Sequence, residues 1–93
     1  MAKRIGVIGV VIHDPRQVSD QVNAIISTYG HMIIGRMGIP RADANVGVIS
    51  LIIEGTTDEV GALTGKLGRL SGVTVKSALT SESINQEENH HDQ

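Results

Sequence analysis

Cysteine, phenylalanine and tryptophan are absent from this chain, and Tyr29 is its only aromatic side chain of the Phe, Trp and Tyr class. The lack of cysteine excludes disulfides, thiolate nucleophiles and Cys-ligated zinc or iron–sulfur centres. The lack of aromatics argues against a stacking platform for single-stranded nucleic acid. Neither charge sign dominates, since the formal net charge is −2. Four of the acids, Glu82, Glu87, Glu88 and Asp92, lie beyond Thr80, which leaves six acids against eight Lys and Arg in the body. That small positive excess argues against direct nucleic-acid binding and against a membrane surface. No apolar stretch approaches the length of a membrane span, and a cytoplasmic protein is expected. The start, Lys3-Arg4 followed by Ile5–Ile12, lacks a small-residue cleavage site and suits a β-strand better than a signal peptide.

The 93 residues amount to one domain, and 40% of them are hydrophobic, mostly Val, Ile, Leu and Ala. A domain of this size buries only about 60–65% of the surface of its unfolded chain, so association would add to its stability. Lys3–Ile12 is β-branched and apolar and is predicted as strand 1. Asp14-Pro15 forms a helix start, with Asp14 as N-cap and Pro15 at the first helical position. Val18, Val22, Ile25, Ile26 and Tyr29 recur at helical spacing, with Gly30 as the stop. Met32–Ile39 and Val46–Glu54 are apolar runs joined by polar, turn-rich Pro40–Asn45, which predicts a hairpin. Thr56-x-x-Glu59 fits a capping box. Val60, Leu63, Leu67 and Leu70 line a second helix, Gly72 ends it, and Val73–Leu79 is the last strand.

The order strand, helix, strand, strand, helix, strand is that of the ferredoxin-like α+β sandwich: a four-stranded antiparallel sheet with two helices on one face. Residues 1–79 make that domain, and residues 80–93, polar and without periodicity, are expected to be a disordered acidic tail. Strand 1 places Ile5, Val7 and Val11 on one face and Ile8, Val10 and Ile12 on the other. Strand 3 does the same with Val46, Val48 and Ile52 against Ile49, Leu51 and Ile53. Two helices cannot cover both faces, so a homo-oligomer, dimer or tetramer, is expected.

Gly6-x-x-Gly9 resembles the opening of a dinucleotide fingerprint, but Val10–Ile12 continue the strand where that motif must turn into a helix. Close packing on the sheet is the simpler account of both glycines. His13 and His31 sit at opposite ends of the first helix, the wrong geometry for a metal pair, and His90 and His91 fall in the tail. Asp14 is explained by capping; alternatively the helix start binds a carboxylate, with Arg16 as a planar fork. Arg36 stands in an apolar strand between Gly35 and Gly38. It can clamp a carboxylate or phosphate, pair with Glu54 or Asp43, or cross a subunit contact. Gly61, Gly65 and Gly68 each cost about 0.8–1.0 kcal/mol against Ala inside a helix. They suit close packing on the first helix or on a second subunit, or else a ligand groove. Asp14, Arg16, Arg36, Gly61 and Gly65 are therefore the candidate ligand-binding residues, for a small anionic ligand. No catalytic constellation or P-loop is present, so neither an enzyme nor a bound cofactor or metal is expected.

The segments Ile33-Ile34-Gly35-Arg36-Met37-Gly38-Ile39-Pro40, Asp58-Glu59-Val60-Gly61-Ala62-Leu63-Thr64-Gly65-Lys66-Leu67-Gly68-Arg69 and Gly72-Val73-Thr74-Val75-Lys76-Ser77 carry a resemblance over about residues 3–79. Their wording resembles the iron-only hydrogenase system regulators, small stand-alone ACT-like proteins. The resemblance implies an ACT-like sandwich and a non-enzymatic oligomeric sensor or regulator of that hydrogenase system, as the family name implies transcriptional control. The alternative is an ACT module that binds a small molecule and acts allosterically on a protein partner without touching DNA. In ACT-type domains the turn corresponding to Asp14-Pro15 often binds an amino acid, although the usual glycine after the proline is Arg16 here. The fold is also similar to the ligand-binding domain of nickel-responsive repressors. Their Cys and His ligands are missing, so the nickel site does not carry over, and no helix-turn-helix fits beside the sandwich.

Overall fold

The computed structural model describes residues 2–80. Its order is β1 (Arg4–His13), α1 (Pro15–Thr28), a 3-10 turn (Gly30–Met32), β2 (Ile33–Arg41), a second 3-10 turn (Ala42–Ala44), β3 (Val46–Gly55), α2 (Thr57–Gly68) and β4 (Val73–Leu79). The strands form one antiparallel sheet in the order β2-β3-β1-β4. This is the predicted ferredoxin-like plan. Thr80 N–H still donates to Ile5 O at 3.0 Å, and the rest of the expected tail, residues 81–93, lies outside the described residues.

Strand alternation decides what is buried. Ile8, Val10 and Ile12 of β1 and Ile49, Leu51 and Ile53 of β3 point to the helices and are at most 8% exposed. The opposite face carries Val7, Val48 and Ile52, which are 37–42% exposed. Val18, Val22 and Ile26, spaced by one helical turn, bring α1 onto the inner face, and Val60, Leu63 and Leu67 do the same for α2. Burying a side chain of this kind is worth about 1.5–3 kcal/mol, so these six hold both helices in place.

The capping box on α2 is complete. Thr56 Oγ1 accepts from Glu59 N–H at 3.1 Å, and Glu59 Oε1 accepts from Thr56 N–H at 2.9 Å. Helix α1 ends at Thr28, so Tyr29, the last residue of the apolar series, is its C-cap; Gly30 follows just past the end as expected and opens the 3-10 turn that delivers buried Met32 into the core. The start of α1 differs from expectation. Pro15 does hold the first helical position, yet Asp14 makes no capping hydrogen bond. Gly72, by contrast, adopts φ +80°, and a Cβ there would stand 3.0 Å from His13 O. The turn before β4 thus needs glycine.

β2 also runs further than the apolar pattern indicated. Pro40 and Arg41 pair with Gly47 and Val46. Pro40 is tolerated because β2 is an edge strand. A register shift between Ile33 and Gly35 leaves Ile34 as an extra residue, 59% exposed.

Candidate functional site

The β1–α1 turn and the β2–β3 connection meet at one end of the sheet. Asp14 and Asn45 both adopt φ 55°, in the left-handed region. Asp and Asn enter it more readily than other non-glycine residues because their short polar side chains bond locally. Here they bond each other: Asp14 N–H donates to Asn45 O at 3.0 Å, and Asn45 Nδ2 donates to Asp14 Oδ1 at 3.3 Å. His13 N–H donates to Gly72 O at 2.8 Å, which ties the same corner to the start of β4. The Asp14 carboxylate is thus occupied in bracing two turns, and this bracing replaces the expected cap.

A cleft of about 320 Å³ opens beside that brace, lined by Pro15, Arg16, Pro40, Arg41, Asn45 and Val46. Its volume is at the lower end of the usual range for small-molecule sites, about 300–1,000 Å³. Two guanidinium groups contribute to the lining. Arg41 donates from Nε and Nη2 to the two carboxylate oxygens of Asp43, at 3.1 and 2.9 Å. The fork holds the Asp43 carboxyl below the usual carboxylate range and pushes Arg41 up. Both side chains are exposed, so the pair is worth little as stability. Arg16, on the first turn of α1, has no ion pair or side-chain hydrogen bond among the described residues.

The five candidate residues do not converge. Asp14 and Arg16 lie at the cleft. Arg36 lies on the helix-facing side of β2, paired with Leu51, and its Nη2 donates to Asn23 Oδ1 of α1 at 2.7 Å. It bonds neither Glu54 nor Asp43, because alternation aims it at the helix and Asp43 is taken by Arg41. Gly61 and Gly65 sit on α2, and a Cβ at either, or at Gly68, would meet nothing within 4 Å. Packing against α1 therefore does not explain these glycines. Arg41 and Asn45 were missed by sequence reasoning. The polar Pro40–Asn45 run marked a loop, but only the fold brings that loop beside Pro15.

A second polar cluster joins the two helices at the other end. Glu59 Oε2 meets His31 Nε2 at 3.2 Å while Oε1 serves the capping box. The Thr56 N–H, and next His31, hold the Glu59 carboxyl below its ordinary value. Lys66 Nζ lies 5.4 Å from the Tyr29 ring centre. Among the described residues there is no group of three or more His, Cys, Asp or Glu suited to a metal ion. No helix among them is long and apolar enough to cross a membrane.

Comparison with known proteins agrees with this architecture. The structure of an uncharacterized protein, TM1266 from Thermotoga maritima, superposes with a TM-score of 0.81 at 34% identity, covering 85% of this chain and 99% of that one. The ACT domain from the GTP pyrophosphokinase of Chlorobium tepidum gives a TM-score of 0.70 at 23% identity, over 82% of this chain and 99% of that one. A nitrogen regulatory PII-like protein from Thiomonas intermedia gives 0.52 at 9% identity, over 89% and 95%. These last two similarities concern the fold alone. A search of curated proteins found no match. Residues 4–77 match the family described as TM1266-like, iron-only hydrogenase system regulator. With that match and its 34% identity to the Thermotoga structure, the chain belongs to the TM1266-like iron-only hydrogenase system regulator family.

Proposed function

We propose that this chain is a non-enzymatic, cytoplasmic regulatory domain of the iron-only hydrogenase system, which senses a small anionic ligand in the cleft beside Arg16 and Arg41. The observation that carries the reading is the family match across residues 4–77. The cleft supports the ligand. Its volume suits a small molecule, and a guanidinium fork matches a carboxylate or phosphate in two hydrogen bonds. Arg16 has no competing side-chain partner among the described residues. Arg41 has Asp43, so an entering anion would compete with Asp43 for the fork and free the Ala42–Ala44 turn. Occupancy would then be felt at the end of the β2–β3 hairpin, a means of signalling that needs no chemistry at the ligand.

Thermal shift against inorganic phosphate, amino acids, dicarboxylates and nucleotides tests this. A ligand that binds the native state raises Tm, by about 2.7 kcal/mol of added stability at a hundred times its Kd. The expected result is a rise with at least one of these anions that Arg16→Ala and Arg41→Ala each weaken. A rise that both variants retain, or none across the panel, refutes the cleft as the site.

The nearly balanced charge of the body favours action on a protein partner over direct contact with promoter DNA. Labelled promoter DNA of the hydrogenase genes decides between them. Binding that persists at moderate salt supports direct transcriptional control, and binding that vanishes there is non-specific attraction.

A further inference from the structure

We propose that the open face of the sheet, the one turned away from the helices, is the contact surface for a second copy of this chain. The centre of that face is built by Val7, Gly9 and Val11 of β1 beside Ile52, Ser50 and Val48 of β3, which pair in register as three consecutive rows. None of the six carries a charge. Met37 and Ile39 of edge strand β2 extend the second and third rows and are 64% and 51% exposed. Charged and titratable side chains stand around this centre: Glu54 at one end, with Lys3 on the same face by alternation, His13 and the Asp43-paired Arg41 at the other, and Lys76 on edge strand β4 in the row of Gly9, where its long stem can carry the ammonium to solvent. An apolar centre with a polar rim is the anatomy of a protein contact.

The area is also sufficient. Four strands about 4.8 Å apart and about eight residues long at about 3.4 Å each present a flat projection of roughly 500 Å². Two copies would cover roughly 1,000 Å², and side-chain relief adds to that, which reaches the level a specific interface needs. A second copy fits better than an unrelated partner because it presents the same uncharged rows of β1 and β3, so apolar area is matched by apolar area about a two-fold axis, and aligned sheets pack face to face about 10 Å apart. Such a contact is isologous and closes at two chains.

Light scattering on the full chain at micromolar concentration tests the proposal, with Val48→Glu and Ile52→Glu as the variants that place a carboxylate in the centre. The expected result is a wild-type mass of at least twice 9.9 kDa that falls to the monomer in each variant, while Ala24→Glu on the exposed face of α1 leaves it unchanged. Met37→Glu provides a further variant at a side chain too exposed to disturb the core, and it is expected to weaken association in dilution series. Helical circular dichroism confirms that each variant is folded. A wild-type mass of 9.9 kDa overturns the proposal, and so does an oligomer that all three face variants leave intact, since the contact would then lie on a strand edge or on the helices.

Discussion

Replacing Gly61 and Gly65 together by alanine is expected to stabilise the protein, by an amount that follows from where the two residues sit. Both are inside α2, which spans Thr57–Gly68, so neither serves as a terminal cap. Neither is recorded with the positive φ that only glycine tolerates well. A Cβ at either position would meet nothing within 4 Å, so the added methyl brings no clash and little contact. What remains is the backbone entropy that glycine loses on entering a helix, about 0.8–1.0 kcal/mol per residue relative to alanine. The double variant should therefore gain about 1.6–2.0 kcal/mol, most of it by restricting the unfolded chain. For a domain of this size, each kcal/mol moves Tm by about 4–8 °C, so the rise should be roughly 6–16 °C. Calorimetry or thermal circular dichroism at matched protein concentration measures it. An unchanged or lowered Tm would refute the reasoning, because the glycines would then be approached closely in solution by a ligand or a neighbouring chain. Light scattering on the same samples would tell which.

Thr56→Ala removes one half of the capping box and is expected to cost about 0.5–2 kcal/mol, read as a fall in urea midpoint without a change in slope. Glu59 has a folded-state pKa below its ordinary 4.5, so the stability it contributes is present above that value and is lost as pH falls through the folded pKa. The pH dependence of Tm below about 4.5 should accordingly be shallower in Glu59→Gln, which keeps the capping acceptor and loses the titration; parallel curves would contradict this. Gly6→Ala should be strongly destabilising, because its Cβ would overlap the backbone Ala78 O of β4, an atom no side-chain rotation can move away; a wild-type Tm would contradict it. Arg36→Lys should stay within about 0.5 kcal/mol of wild type if the exposed bond to Asn23 is all that Arg36 makes. A lysine variant with lowered oligomer mass or weakened ligand affinity would show that the planar fork is used by something outside the single chain.

Local pattern carried most of the fold. The alternation in β1 and β3, the one-turn spacing of Val18, Val22 and Ile26, and the Thr56–Glu59 box each depend on residues within a few positions of one another. Their physics is complete in the sequence, down to the prediction that β1 and β3 are apolar on both faces. The limits of α1 and β2 were less legible. Met32 is buried because a 3-10 turn carries it inward, and β2 continues through Pro40 because β3 is there to pair with it. The candidate site was legible only in part. Asp14 and Arg16 were found because a helix start is a local signal, but the role of Asp14 changed from cap to brace once Asn45 was beside it. For Arg36 the sequence offered Glu54 and Asp43 as partners, and strand register instead aimed it at Asn23 of α1, a residue not considered as its partner from the sequence. Whether a residue forms a helix or a strand is decided largely by its near neighbours in the chain. Which side chains share a cleft, and which glycines meet open space, depends on contacts between segments tens of residues apart, and only packing of the sheet against both helices determines those.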